Sequence, residues 1–188
     1  MKSQTDLLKQ LEQELLYLQA KTYRAHSPGE LEGLLEAIGA PYAPEKIAVE
    51  DRPFLRDLKW VRSRIVPGAD QRSNNWEAVR NIALGLTGVD YALADTGTLV
   101  LFAGTAKGRW VSLAPRIHVA LLPLGRILPS LDEFFPLLAT PDILAASGSA
   151  VTFITGASRT GDIELKLVMG AHGPKELHVI TLLFPTGS

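Results

Sequence analysis

One loop in the last quarter of the chain combines residue types suited to holding an anion. Arg159 offers a forked cation, Ser158 and Thr160 offer hydroxyl groups, and Gly156 allows a tight turn. A β-branched segment precedes this loop, and the sequence predicts a helix after it, at 160–169. Unpaired amides at a helix start bind anions because they lie at the positive end of the helix dipole. These four residues are therefore predicted to bind a phosphate or a carboxylate.

A second interpretation of the same loop involves no ligand. Ser158 or Thr160 can cap the helix while Arg159 stays in solvent. Asp162 and Glu164 in the first turn would already complement the helix dipole, and they would repel a highly charged anion. The loop matches neither the phosphate-loop lysine motif nor a dinucleotide-binding fingerprint. Both interpretations stay open at this point.

Asp95 stands between two apolar segments, in the sequence Ala94-Asp95-Thr96-Gly97-Thr98. An acidic side chain in this position can hydrogen-bond its own backbone in a turn, or it can line a pocket as a general base. The turn is favoured, because Asp is common in turns. On the other interpretation Asp95 is a candidate catalytic residue.

The histidines and acidic residues do not assemble a metal or hydrolase site from sequence alone. No two histidines have the i,i+4 spacing of a helical zinc motif, and no Gly-x-Ser-x-Gly nucleophile elbow is present. A metal needs three or more convergent ligands, and sequence does not bring Asp95, Asp162, Glu164 and His172 together. We therefore predict no metal site.

Strand and helix patterns alternate beyond the first forty residues. The sequence predicts strands at 46–50, 64–66, 90–94, 98–103, 116–122, 150–155 and 176–183. It predicts helices at 53–61, 74–86, 131–138 and 160–169. This order is typical of an α/β domain with a mostly parallel sheet, and a hairpin around Asp95 would make part of the sheet mixed. Ligands of such sheets bind beyond the carboxyl ends of the strands, so we expect the site there.

Two patterns refine these elements. Strict alternation in the strand at 116–122 places Arg116, His118 and Ala120 on one face, opposite Ile117, Val119 and Leu121. Serines 27 and 130 are each followed three residues later by Glu, which is the pattern of a capping box.

The first part of the chain is the most helical. A leucine stripe predicts an amphipathic helix at 5–23, which we expect to pack on the domain, and a second helix follows the Ser27 cap. We divide the chain into an N-terminal helical extension at 1–45 and an α/β domain at 46–188.

Composition excludes several classes of protein. A hydrophobic share of 46% with 21% charged residues is typical of a globular chain rather than a disordered one. The net charge of −1 gives no basic excess for binding nucleic acid. The absence of cysteine excludes disulfides, thiol nucleophiles and an iron–sulfur cluster held by the chain's own thiolates. Charges and prolines interrupt every long apolar stretch, so we expect a cytoplasmic protein with no signal peptide or membrane span.

Several motifs, in this order, resemble the lactate utilization protein C family (LutC/YkgG), which is built on the LUD domain. The resemblance is strongest at 87–182. The motifs are Thr87-Gly88-Val89-Asp90, Ala94-Asp95-Thr96-Gly97-Thr98-Leu99-Val100, Ser112-Leu113-Ala114-Pro115-Arg116-Ile117-His118-Val119, the run at 153–164, Met169-Gly170-Ala171-His172-Gly173-Pro174 and Leu177-His178-Val179. Arg116 departs most from the family, which commonly has proline there, and it adds a charge near the expected site.

The resemblance implies an α/β fold of the NagB/RpiA/CoA-transferase-like kind, with a mostly parallel sheet flanked by helices. It implies a part in oxidising L-lactate to pyruvate, together with partner proteins that carry iron–sulfur clusters, and no cofactor on this chain. On this view Arg159, Arg116 and the loop amides hold a small carboxylate, and Glu164, His172 or Asp95 helps to move a proton.

Two other functions remain open. The first is a stand-alone enzyme that acts on a phosphorylated or acyl small molecule, as other proteins of this fold do, with Glu164 as its acid. The second is an interaction protein that docks a partner through the leucine-striped N-terminal helix.

Overall fold

The computed structural model describes residues 2–64, 79, 81–103, 109–148, 150–161, 167–169 and 173–186. The helices in this part of the chain are α1 (Gln4–Tyr17), α2 (Pro28–Gly39), α3 (Pro53–Arg56), α4 (Lys59–Arg64), α5 (Arg109–Leu113), α6 (Leu131–Leu138) and α7 (Pro141–Ser147). The strands are β1 (Lys21–Ala25), β2 (Ile47–Val49), β3 (Leu84–Gly88), β4 (Tyr91–Leu93), β5 (Thr98–Phe102), β6 (Ile117–Pro123), β7 (Ile127–Leu128), β8 (Val151–Ile154), β9 (Arg159–Gly161), β10 (Leu167–Met169) and β11 (Glu176–Leu182).

The larger sheet is entirely parallel, with the strand order β1-β11-β6-β3-β2. Its central strands β3 and β6 are buried along nearly their whole length, as expected for a parallel sheet that is covered on both faces. Because all these strands run the same way, their amino ends lie together at one end of the sheet, the amino edge. Their carboxyl ends lie at the opposite end, the carboxyl edge. This confirms the predicted α/β class with a mostly parallel sheet.

A smaller mixed sheet has the order β7-β4-β5-β8. Strand β4 is antiparallel to β5 and parallel to β7, and β5 is antiparallel to β8. The β4–β5 pair is the hairpin predicted around Asp95. Strands β9 and β10 form a separate antiparallel pair, with Arg159 opposite Met169.

Three apolar cores hold these layers together. One lies between the two sheets and includes the leucine stripe of α1, at Leu7, Leu8, Leu11 and Leu15. A second packs α2, α3 and α4 against the other face of the parallel sheet. The third lies under α6, where Phe134 is fully buried against the outer face of the smaller sheet. The predicted packing of the N-terminal helix on the domain is confirmed, so its leucine stripe is not free to dock a partner.

Local signals in the sequence explain where the helices begin. The Ser27 hydroxyl accepts a hydrogen bond from the Glu30 amide, and the Ser130 hydroxyl accepts one from the Asp132 amide. Both predicted caps are therefore confirmed. None of the helices among the described residues is long and apolar enough to cross a membrane.

Two predicted elements are wrong. The helix at 160–169 is replaced by strands β9 and β10 wherever the structure describes that segment. The N-terminal helix ends at Tyr17, and residues 21–25 form strand β1 at the edge of the parallel sheet. The strand predicted at 64–66 lies mostly outside the described residues, and its first position, Arg64, ends helix α4. Most of the helix at 74–86 lies outside the described residues, but its last three positions belong to strand β3.

Candidate functional site

The Asp95 turn and the loop that begins at Thr155 are neighbours in the fold. Pairing of β5 with β8 brings the two segments together, and a chain of hydroxyl groups links them. The Thr98 hydroxyl lies 2.9 Å from that of Thr96 and 2.8 Å from that of Thr155. Two stretches that sequence analysis treated as separate candidates therefore belong to one surface.

The end of helix α1 closes one side of this surface. Gly97 and Gly156 both have positive φ, at 65° and 83°, and a Cβ added to either would lie 3.0 Å from the Leu18 side chain. Any other residue at these positions would meet both backbone strain and a steric contact. The two glycines thus let both loops approach the helix end closely.

Ser158 and Arg116 tie this surface to the amino edge of the parallel sheet. The Ser158 amide donates to the Pro174 carbonyl at 2.8 Å. The Arg116 carbonyl accepts from the amides of Lys175 and Glu176, at 2.8 and 3.2 Å. The Arg116 side chain itself is exposed. We call the segments 95–98, 155–158 and 173–174 together with Arg116 the loop cluster.

The loop cluster contains part of the predicted site. It includes Asp95, Arg116, Gly156 and Ser158. Asp95 is exposed in the turn between β4 and β5, and its amide donates to the Pro129 carbonyl. The structure does not test the predicted roles of these residues.

The other predicted residues are only partly described. For Arg159 and Thr160 the structure gives the backbone, which runs in strand β9 directly after the loop cluster. Glu164 and His172 lie outside the described residues. Their predicted roles stay predictions.

Two premises of the predicted site are wrong. The loop leads into the antiparallel strands β9 and β10, so its amides do not stand at the start of a helix and gain nothing from a helix dipole. The loop also follows strand β8 of the smaller sheet and meets the amino edge of the parallel sheet, not the carboxyl edge. Any anion binding there has to come from side chains and loop amides alone.

His118 lies in strand β6, two residues after Arg116, and is fully buried. Its Nε2 is 2.8 Å from the Thr87 hydroxyl, and its Nδ1 has no hydrogen-bond partner among the described residues. Burial lowers the pKa of His118 to about 3, so the ring is neutral near pH 7. The predicted alternation is confirmed, because Ala120 lies in the core between the sheets while Val119 lies in the opposite core.

A second histidine, His178, belongs to a polar group on the amino edge. Its Nδ1 is 3.1 Å from the Tyr23 hydroxyl, and the two rings stack with centroids 5.7 Å apart. Its Nε2 faces Glu176 at 3.4 Å, and Glu176 also forms an ion pair with Lys21. The hydrogen bond from Lys21 lowers the pKa of Glu176, and burial lowers the pKa of His178. Each group in the chain Tyr23–His178–Glu176–Lys21 therefore has a partner.

Sequence analysis missed an ionic network at the carboxyl edge. Arg52 donates to both oxygens of Asp90, at 2.8 and 2.7 Å, and through Nε to Glu50 at 2.7 Å. Glu50 also accepts from the Gly88 amide, and Asp90 accepts from the Phe102 amide. The available signal was the position of these charges, because Glu50 directly follows β2 and Asp90 follows β3.

Burial sets the electrostatics of this network. Burial raises the pKa of Glu50, although Arg52 and the Gly88 amide oppose this effect. Burial acts to lower the pKa of Arg52, but its bonds to Asp90 and Glu50 outweigh this and raise it. The carboxylates are engaged by Arg52 and by backbone amides, so we assign the network to holding loops together. Within the described ranges, no group of three or more His, Asp or Glu residues could hold a metal ion.

Comparison with known proteins identifies the family. The sequence model of the LUD domain matches residues 10–182. This chain belongs to the LUD-domain family. Lactate utilization protein C of Anoxybacillus flavithermus is 30% identical over 96% of this chain and 82% of its own length. The same-named protein of Macrococcus caseolyticus is 30% identical over 92% of this chain and 76% of its own length.

Two further matches are a more similar relative that aligns with only part of the chain and a solved structure that aligns with nearly all of it. Lactate utilization protein C of Halalkalibacterium halodurans is 40% identical, but the match spans 52% of this chain and 43% of that protein. A crystal structure of a DUF162 family protein from Deinococcus radiodurans superposes with a TM-score of 0.70 at 23% identity, covering 97% of this chain and 99% of that one. This likeness establishes the shared fold.

Proposed function

We propose that this LUD-domain protein is a component of an L-lactate utilisation system, in which L-lactate is oxidised to pyruvate. Its relatives that match over nearly the whole chain carry the name lactate utilization protein C. The oxidation removes two electrons and two protons from each lactate, so an electron acceptor is required. This chain has no cysteine to hold an iron–sulfur cluster, and we assign the electron acceptor to iron–sulfur partner proteins.

Within this system we assign the loop cluster to binding the small carboxylate. The observation that carries this assignment is a connected set of contacts. The Thr96, Thr98 and Thr155 hydroxyls are linked, and the loop after Thr155 is bonded through the Ser158 amide to Pro174, next to the residues bonded to the Arg116 carbonyl. Lactate presents one carboxylate and one hydroxyl group. A cation with several hydroxyl partners suits that pair of groups, and a guanidinium can bind both oxygens of a carboxylate. Arg159 follows directly in strand β9 and is proposed as the second cation.

A ligand titration tests the binding step. The purified protein is titrated with L-lactate and with pyruvate by calorimetry and by NMR, at up to millimolar ligand. We expect saturable binding that weakens by roughly 10- to 150-fold in Arg159→Gln and in Arg116→Gln, since each loses a charge-assisted hydrogen bond worth about 1.5–3 kcal/mol. Arg62→Gln is the matched control, because that exposed side chain pairs with Asp57 outside the loop cluster. The absence of heat and of shifts with both ligands would remove the binding assignment.

The proton-handling roles need a separate measurement. We propose that Glu164, His172 or Asp95 accepts a proton as lactate is oxidised. In a reaction reconstituted with the partner proteins, Glu164→Gln, His172→Gln and Asp95→Asn are compared for turnover and for ligand affinity. The residue that moves the proton is the one whose variant keeps its affinity and loses most of its turnover. If all of these variants turn over normally, none of the three side chains takes part in the catalytic step.

A further inference from the structure

Among the described residues, strand β8 has a pairing partner on one side only. It is the outer strand of the smaller sheet, and each residue from Ala150 to Ser158 keeps part of its surface accessible. The segment Ala150-Val151-Thr152-Phe153-Ile154-Thr155 contains no charged residue. Such an edge offers a row of unpaired backbone groups to another strand.

The other sheet edges carry the usual protection against pairing. Strand β1 places Lys21 and Arg24 at its edge, and both side chains are held in ion pairs. Strand β2 has three residues, two of them buried, and β7 has two residues. Charges and short length are the common ways to keep an edge from pairing. Among the edge strands described for the two larger sheets, β8, with four residues, is the longest that carries no charge.

The hydrogen-bond pattern shows which backbone groups of β8 point outward. The Ala103 amide donates to the Ala150 carbonyl, so position 150 directs its backbone toward β5. In an antiparallel ladder this direction alternates from one residue to the next. The backbone groups of Val151, Phe153 and Thr155 therefore point away from β5.

Apolar side chains flank this outward edge on one face. Phe153 is 45% exposed on β8, and Phe135 is 53% exposed on α6. Both rings lie close to the buried Phe134 ring, with centroid distances of 5.8 and 6.1 Å. The two exposed rings thus pack on the same buried ring near the outer strand, and exposed apolar rings grouped in this way mark an interaction surface.

We propose that β8 pairs with β8 of a second copy of this chain, antiparallel and centred on Phe153. The twofold axis would run perpendicular to the smaller sheet and join the sheets of both copies into one. Phe153 then faces Phe153 of the second copy, and Val151 faces Thr155 of the second copy. Each of these pairs exchanges both of its N–H···O bonds, because all three residues direct their backbone groups outward.

The chemistry of the strand favours a second copy as the occupant. If the twofold axis passed between two residues of β8, each side chain would be paired with one from the other face of the sheet. An axis that passes through Phe153 pairs side chains of the same face, so the apolar faces of the two copies stay together. The same residues thus supply complementary hydrogen bonds and matching faces in both copies, as an isologous interface requires. The uncharged edge also has no feature that would select a charged peptide.

Sedimentation analysis of the full chain tests the pairing. We expect a concentration-dependent mass of twice 20.4 kDa for the wild type. Phe153→Lys should be monomeric, because two ammonium groups would meet at the axis. Leu113→Lys is the matched control, since Leu113 is 46% exposed on α5, and it should stay dimeric. A wild type that stays monomeric up to millimolar concentration overturns the proposal. So does a wild type that associates only when a different protein is added.

Single cysteines test the register, because the chain has no cysteine of its own. Phe153→Cys should form a disulfide dimer under mild oxidation, since directly paired Cα atoms lie within disulfide range. Val151→Cys alone should not cross-link, because its copy lies about 13 Å away along the strands. The double variant Val151→Cys, Thr155→Cys should cross-link efficiently. Equal cross-linking of the two single variants, or a dimer that survives Phe153→Lys, would contradict this register.

Discussion

The imidazole of His118 is shielded from water, and this governs its response to acid. The ring is fully buried, and burial lowers its pKa to about 3 from an ordinary value of 6.5. In the unfolded chain His118 binds a proton below pH 6.5, whereas in the folded chain it stays neutral until about pH 3. Between these two values the unfolded state holds more protons, so acid favours unfolding.

We expect His118 to remove about 2 kcal/mol from the free energy of unfolding between pH 7 and pH 5. The variant His118→Gln keeps a partner for the Thr87 hydroxyl but does not titrate, so its stability should fall less over this interval. Urea unfolding followed by circular dichroism at several pH values measures the difference. Parallel pH profiles for the two proteins would show that His118 binds its proton equally well in the folded and the unfolded chain, which would contradict the effect of burial on its pKa.

Single residues were the least predictable level from sequence. The capping serines were found because their hydrogen bonds are made within the next three residues, as at Ser27 and Ser130. The Arg52 network was not found, because Arg52 and Asp90 are 38 residues apart and meet only once β2 and β3 are paired. The same holds for Thr98 and Thr155, whose contact depends on the pairing of β5 with β8.

At the scale of elements, strands read from alternating or buried apolar runs were mostly confirmed. The main failure is the helix predicted at 160–169. Apolar residues occur there at Ile163, Leu165, Leu167 and Met169, which is the period of two that a strand requires. Strand β1 was not predicted because it is short and largely accessible, and its sequence therefore shows no alternation of apolar residues.

The Arg52 network acts on whole elements, because it joins the segment after β2 to the β3–β4 connection. Removing Arg52 leaves Glu50, whose side chain is 5% exposed, and Asp90 without their cation. We expect Arg52→Ala to lower the free energy of unfolding by about 3–5 kcal/mol. Arg62→Ala removes an exposed ion pair to Asp57 and should cost at most about 1 kcal/mol. Chemical unfolding of both variants gives the comparison, and equal losses would show that the network contributes no more than a surface pair.

For the whole molecule, the N-terminal segment completes the domain rather than sitting beside it. Helix α1 fills the core between the two sheets, and β1 pairs with β11 along its whole length. The LUD-domain match likewise begins at residue 10, within α1. The predicted boundary at residue 45 stays a prediction, and it would separate α1 and β1 from the core and the sheet that they share with later residues.

This arrangement makes a clear prediction for the isolated segment 46–188. It lacks Leu7, Leu8, Leu11 and Leu15, which are all at most 4% exposed in the full chain. Burial of one such side chain contributes about 1.5–3 kcal/mol. The loss of four is therefore comparable with the whole free energy of unfolding of a typical domain, about 5–15 kcal/mol. We expect the fragment to show no cooperative thermal transition and poorly dispersed amide NMR signals. In the full chain Leu11→Ala should cost about 2–5 kcal/mol, whereas Leu16→Ala, at a site 59% exposed, should cost little. A fragment that unfolds cooperatively would show that residues 46–188 form an independent domain and that α1 and β1 are additions to it.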